Sequence, residues 1–257
     1  MIIDFCSAIG PWAFRRLQAT TADDCKRELR REHIDMAVVS SLPAVLYKNP
    51  HQGNFALMEE IGRKSDYFIP FAVLNPMFPG WEDDLRRCAG NLEMRGLRLY
   101  PNYQGYDLAS AEARQLVGMA ASEGWATQVS IRLEDERFHH WGWMVPPTPV
   151  DAIAQLALDV PDARIVLSGA SYGEMKAYYD AVGDAPNAFA EIGYIKSPLE
   201  AVKECVAEFG VERLLLGTNY PMMVPYVGTE KVTRADVPDD VKQAIMGGNA
   251  ARILGIA

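Results

Sequence analysis

The chain has few histidines, few cysteines and no long uncharged apolar run. Charged residues interrupt every apolar stretch well short of the roughly 20 residues that a membrane span needs. The opening Met1-Ile2-Ile3-Asp4 has neither a basic leader nor a long apolar segment. The expectation is a soluble cytoplasmic protein with no membrane partner. Basic residues are outnumbered, 25 against 34 acidic, which leaves a formal charge of -9. That deficit opposes general binding to nucleic acid, because neutralising phosphates takes a surplus of Lys and Arg. Cys6, Cys25, Cys88 and Cys205 show no paired spacing, so neither a disulfide framework nor a zinc knuckle is indicated, and reduced thiols are expected.

What is present is an ordinary globular composition, 49% hydrophobic and 23% charged, in 257 residues. Short β-branched runs at 2–6, 36–40, 67–74, 96–100, 127–133, 164–167, 188–192 and 213–217 read as strands. Amphipathic stretches at 23–32, 54–64, 81–92, 109–123, 150–158, 172–181, 199–209 and 239–246 read as helices, several opened by Asp, Ser or Pro. Strict β-α alternation over this length predicts a (β/α)8 TIM barrel, distorted, as a single domain spanning 1–257. Segments 135–149 and 220–238 read as elaborated loops over the active face.

Barrel chemistry sits at the carboxyl ends of the strands, so polar residues facing inward there are the candidates. Alternation predicts that Gln128, Ser130, Arg132 and Glu134 face the interior of strand five while Val129, Ile131 and Leu133 meet the helices. The same count turns Arg98 and Tyr100 inward in strand four, followed by Asn102, and Glu191 inward in strand seven. Buried charges must be paired or bind something. One reading is an Arg–Glu network that fixes the barrel register. The other is a grip on a small anionic molecule, for which the guanidinium fork is well shaped. The run from Arg132 to Trp141 gathers Glu134, Glu136, Arg137, His139 and His140, so His139 or His140 can act as general base, oriented by Glu134 or Glu136, while Arg132 and Arg137 hold an anion. Its competing reading is a solvated loop. Asn219 and Tyr220, after strand eight, join Arg98, Tyr100, Asn102, Arg132 and Arg137 as expected substrate-binding residues, and Glu191 joins Glu134, His139 and His140 as an expected catalytic one.

The ordered set Ile2-Ile3-Asp4-Phe5-Cys6-Ser7-Ala8-Ile9-Gly10-Pro11-Trp12, Asn54, Leu74-Asn75-Pro76, Gly217-Thr218-Asn219-Tyr220-Pro221 and Gly248-Asn249-Ala250-Ala251-Arg252-Ile253-Leu254-Gly255 resembles the amidohydrolase superfamily, in its decarboxylase- and lactonase-like branch. The resemblance implies a metal-dependent barrel, yet the positions that would carry its His-x-His pair hold Cys6 and Ala8. Those of the strand-five and strand-six His fall near Arg132 and Gly169, and that of the strand-eight Asp holds Asn219. The family metal is therefore not expected, and water activation needs another base. Three expectations follow. The first is a hydrolase of a small anionic ester, lactone or amide working without the metal. The second is a catalytically silent barrel that binds a small molecule or supports another subunit. The third is zinc or manganese on an unconventional set of Cys6, Glu134, His139 and Glu191. By resemblance only, a homo-oligomer is expected.

Overall fold

A computed structural model describes residues 1–62, 65–139, 141–198 and 200–256. Eight parallel strands follow one another in order: β1 (Ile3–Ile9), β2 (Met36–Ser41), β3 (Phe68–Val73), β4 (Gly96–Leu99), β5 (Ala126–Ser130), β6 (Arg164–Ser168), β7 (Ala188–Glu191) and β8 (Leu214–Leu215). The last meets the first through Phe5 N–H to Leu216 O and Ala8 N–H to Tyr220 O, both 2.8 Å, which closes the barrel. Helices fill the connections: α1 (Ala22–Arg31), α2 (His51–Ile61), α3 (Trp81–Gly90), α4 (Pro101–Gln104), α5 (Ala111–Ser122), α6 (Val150–Asp159), α7 (Tyr172–Val182), α8 (Ala201–Phe209), α9 (Pro225–Thr233), α10 (Asp239–Gln243) and α11 (Asn249–Leu254). Each expected strand and each expected helix overlaps an observed one. The expected loop 220–238 is a correction: it contains α9, which Pro225 opens at a first-turn position where its missing N–H costs nothing.

Three apolar clusters divide the interior. The largest lies between sheet and helices and takes the outward strand residues, such as Leu97, Leu99, Val129 and Ile131. A second fills the barrel floor with Ile3, Phe5, Val38, Ile69, Phe71, Val166, Phe189 and Leu215, closed from below by Ala250 and Ile253 of α11. The third lies at the mouth and holds Ala8, Trp12, Leu42, Val73, Tyr100, Leu133 and Met222. Between floor and mouth lies a buried polar layer that includes Ser40, Arg98, Gln128, Ser168 and Glu191.

Two irregularities set that layer. The pairing of β1 with β2 shifts register between Asp4 and Ser7. Ile3 and Phe5 face the floor, and after the shift Cys6 and Ala8 face the interior as well. In β5 the ladder ends at Ser130, because Thr148 takes the carbonyls of Ser130 and Ile131 at 2.9 Å each. The alternation expected to continue to Glu134 therefore stops early. Leu133, expected to face the helices, lies in the mouth cluster instead, and Arg132 turns away from it.

Candidate active site at the barrel mouth

The site is built on Asp4, fully buried at the seam between β1 and β8. Its carboxylate accepts from Cys6 N–H (3.0 Å), Thr218 N–H (2.9 Å), Thr218 Oγ1 (2.6 Å) and Ser7 Oγ. Burial pushes its pKa up, against the pull of these hydrogen bonds. The knot fixes the backbone that presents Cys6 on one side and Asn219 on the other. Asn219 has a left-handed φ of 54°, a conformation its short amide side chain tolerates.

Cys6 Sγ is a meeting point. Ser168 Oγ lies 3.3 Å from it, Asn219 Oδ1 3.6 Å and Arg98 Nη2 3.2 Å. Burial pushes the thiol up to about 12, with Arg98 opposing and Glu191 and Asp4 adding, so it is a neutral S–H at physiological pH. Arg98, in β4, is 2% exposed. It donates to Ser7 O at 2.9 Å and to Ser40 Oγ at 3.4 Å, and lies 5.2 Å from the centre of the Tyr100 ring. Its Nε is buried with no hydrogen-bond partner among the described residues. No carboxylate oxygen among the described residues lies within 4.0 Å of the guanidinium. Tyr100 OH meets Ser40 Oγ at 3.2 Å, and Gln128 Nε2 reaches Phe5 O and Ser168 Oγ.

Glu191 faces the same layer but is fully occupied. Oε1 accepts from Gly169 N–H (2.7 Å) and Ser168 Oγ (3.0 Å), and Oε2 accepts from Gly193 N–H (2.6 Å). Gly217 makes room for it, since a Cβ there would stand 2.0 Å from Oε2.

The mouth is shut. Trp12, from the β1–α1 loop, donates its indole N–H to Glu134 Oε1 at 3.1 Å, and Arg15 Nε lies 3.3 Å from Glu134 Oε2. Arg15 also donates to Met222 O at 2.9 Å and lies over the Phe138 ring. Loops after β1, β5 and β8 are thereby stapled together, and Trp12, Phe14, Tyr103 and Trp143 pack edge to face or tilted above the polar layer. Sequence reasoning missed Arg15. Its one signal was position, a cation in the first loop of the active face.

The other expected residues fall outside this centre. Arg132 makes a bidentate pair with Glu174 of α7 (2.6 and 2.5 Å) and lies over Tyr194. Burial raises the Glu174 pKa, but Arg132 and Ser171 more than offset it, so it falls below the usual value. Arg137 is exposed and donates to Asp135, which Lys196 also contacts; Arg137 first and Lys196 second hold that carboxyl far below its ordinary range. Asn102 ties α4 to the carbonyls of Ile131 (3.0 Å) and Pro146 (3.1 Å). Tyr220 joins the sheet–helix cluster, because its carbonyl bridges to Ala8 and the alternation that turns Asn219 inward turns Tyr220 outward. His139 is half-buried on the β5–α6 loop, and neither ring nitrogen has a hydrogen-bond partner among the described residues. His140 lies outside the described residues. Cys6, Glu134, His139 and Glu191 do not converge: among the described residues no group of three or more His, Cys, Asp or Glu is arranged to hold a metal ion. Likewise, no described helix is long and apolar enough to cross a membrane.

A model of the amidohydrolase family matches residues 15–256. No curated protein matches the chain. Among solved structures, 5-carboxyvanillate decarboxylase from Sphingomonas paucimobilis is similar at 16% identity and a TM-score of 0.72, over 100% of this chain and 99% of that one. Dihydroxybenzoic acid decarboxylase from Polaromonas, with bound manganese and the inhibitor 2-nitroresorcinol, gives 15% identity and 0.74 over 99% and 97%. A probable 2-pyrone-4,6-dicarboxylic acid hydrolase from Acinetobacter baumannii, with citric acid bound, gives 11% and 0.69 over 99% of each chain. At such identities the likeness is one of fold.

Proposed function

The chain belongs to the amidohydrolase family, and from that premise we propose that it is a metal-independent hydrolase of a small carboxylate-bearing ester, lactone or amide, bound at Arg98 beneath the β1–α1 loop. One observation carries this reading: a guanidinium 2% exposed that has, among the described residues, no hydrogen-bond partner for its Nε and no carboxylate within contact, in the layer where barrels do their chemistry. An anion supplies the missing charge. The molecules named for the similar structures, a carboxyvanillate, a pyrone dicarboxylate and citrate, support a carboxylate as that anion.

The donor set argues against the divalent ion of the manganese-bound neighbour. A protonated thiol, a hydroxyl and an amide are poor ligands, and the fixed Arg98 cation beside them opposes a second positive charge.

In this reading Arg98 grips the carboxylate of the substrate, and the Tyr100 ring and Val73 line its apolar part. Lifting the loop frees Glu134 from Trp12 and Arg15, leaving a carboxylate at the mouth to take the proton of the attacking water. His139, on the same loop, returns a proton to the leaving group. Asn219 orders the wall, giving its amide N–H to Leu133 O and accepting from Cys6. Glu191 keeps its hydrogen bonds to Gly169, Gly193 and Ser168 and holds the far side of the layer. Four buried free thiols support a reducing, cytoplasmic setting.

A second reading, a silent barrel that only binds, is favoured by Asn219, an amide where a base would stand. Thermal shift and turnover over a panel of carboxylated lactones, esters and amides decide between the two. A ligand-induced rise in Tm, with hydrolysis that drops roughly 100-fold or more in Glu134→Gln, is expected. A rise without turnover selects the binding barrel, and the absence of both overturns the assignment of the site.

A further inference from the structure

We propose that the Arg98 guanidinium occupies the place of a divalent cation at the centre of this barrel, so that the chain carries a built-in organic cation and excludes metal ions from that place. The proposal deepens the reading above and rests on it only in taking the barrel centre as the site.

The argument begins with convergence. Side chains from the end of β6 and from the turn after β8 both reach Cys6 Sγ of β1, with Ser168 Oγ at 3.3 Å and Asn219 Oδ1 at 3.6 Å. A metal centre would gather its ligands about a common point roughly 2.0–2.3 Å from each donor. Here the same side chains touch one another at hydrogen-bond distances, and the cation beside them is Nη2 of Arg98, 3.2 Å from the sulfur. Each of the three is neutral and able to accept a hydrogen bond, which suits a guanidinium better than a dication.

The cation is also held from its other sides. Nη1 donates to Ser7 O and Ser40 Oγ, and the Tyr100 ring, itself fixed by Ser40, faces the guanidinium plane. The register shift in β1 aligns these partners, because it brings Cys6 inward and aims the Ser7 carbonyl at β4. Glu191 does not touch Arg98, its oxygens being taken by Gly169, Gly193 and Ser168. A lysine or a histidine in this position can lose its proton and yield to a metal. Arginine cannot, so the exclusion holds at any physiological pH.

The test is metal uptake, which needs no substrate. Wild-type protein, purified without chelator or a histidine tag and incubated with zinc or manganese, is expected to retain far less than about one ion per chain. Its Tm is expected to be unchanged by EDTA. Arg98→Met, which removes the charge and keeps an apolar stem, is expected to take up cadmium at Cys6, seen as the ultraviolet thiolate-to-cadmium band and lost again in Arg98→Met/Cys6→Ser. Near-stoichiometric zinc or manganese on the wild type, removable by EDTA, would overturn the proposal. So would a folded Arg98→Met that binds no more cadmium than the wild type. If Arg98→Met does not fold, the wild-type measurement alone still decides. Failure of the hydrolase reading, seen as no turnover and no ligand shift, leaves these metal readouts untouched.

Discussion

Trp12 and Glu134, 122 residues apart, close the barrel with a single hydrogen bond of 3.1 Å, and Arg15 reinforces it from the same loop. Everything polar beneath that contact is shut off from water, so access to the centre is a matter of whether the loop lifts.

Cys6 reports on that motion, since it is fully buried under the loop while Cys25, Cys88 and Cys205 are buried elsewhere. Removing the Arg15 staple weakens closure without touching the polar layer. Arg15→Ala is expected to raise the alkylation rate of Cys6 about tenfold, which corresponds to ~1.4 kcal/mol of lost closing free energy. Peptide mapping after labelling of the native protein checks this. Equal acceleration of all four cysteines would mean global loosening and would sink the idea of a lid.

Gly217 and Glu191 fit together so closely that a methyl group is one too many. Gly217→Ala would place its Cβ 2.0 Å from Oε2 and displace a carboxylate that holds three hydrogen bonds. A loss of ~1–3 kcal/mol or more in chemical denaturation is expected. An unchanged midpoint would show that the β7–β8 end relaxes freely.

Arg132 is predicted to matter for stability and little for ligand binding. Its bidentate pair with Glu174 joins the end of β5 to the first turn of α7, where Glu174 also accepts from Ser171. Arg132→Ala is expected to cost ~2 kcal/mol, in the range of hydrogen bonds to charged groups. Any ligand-induced thermal shift is expected to persist. Loss of the ligand shift in a still-folded variant would return Arg132 to the binding site.

Lys231, on α9, donates to the carbonyls of Ile192 (3.3 Å) and Gly193 (2.7 Å), and burial pulls its pKa down from 10.5 to about 8, with Glu191 opposing. Between those two values the unfolded chain binds more protons at this residue than the folded one, so its contribution makes stability rise with pH. The stability of the wild type relative to Lys231→Met is expected to climb from pH 8 to about 10.5 and then level off. Urea unfolding of both proteins across that range gives the comparison, and a flat or falling difference contradicts the assignment.

The alternation of β-branched runs and amphipathic stretches determined the barrel, because strand and helix periods are local properties of the chain. It also placed Arg98, Tyr100 and Glu191 inward, since β4 and β7 are regular and alternation holds along them. Tertiary structure decided the rest. Whether Cys6 faces inward depends on a register shift against β2, and where β5 stops depends on Thr148 taking its carbonyls from the far side of a loop. Once β5 ends, nothing periodic governs Arg132, Leu133 and Glu134, and each goes to a partner distant in sequence: Glu174, the mouth cluster, and Trp12 with Arg15. Contacts of that kind leave no spacing to read, because they are selected by shape and charge in the folded barrel and not by the turn of a strand.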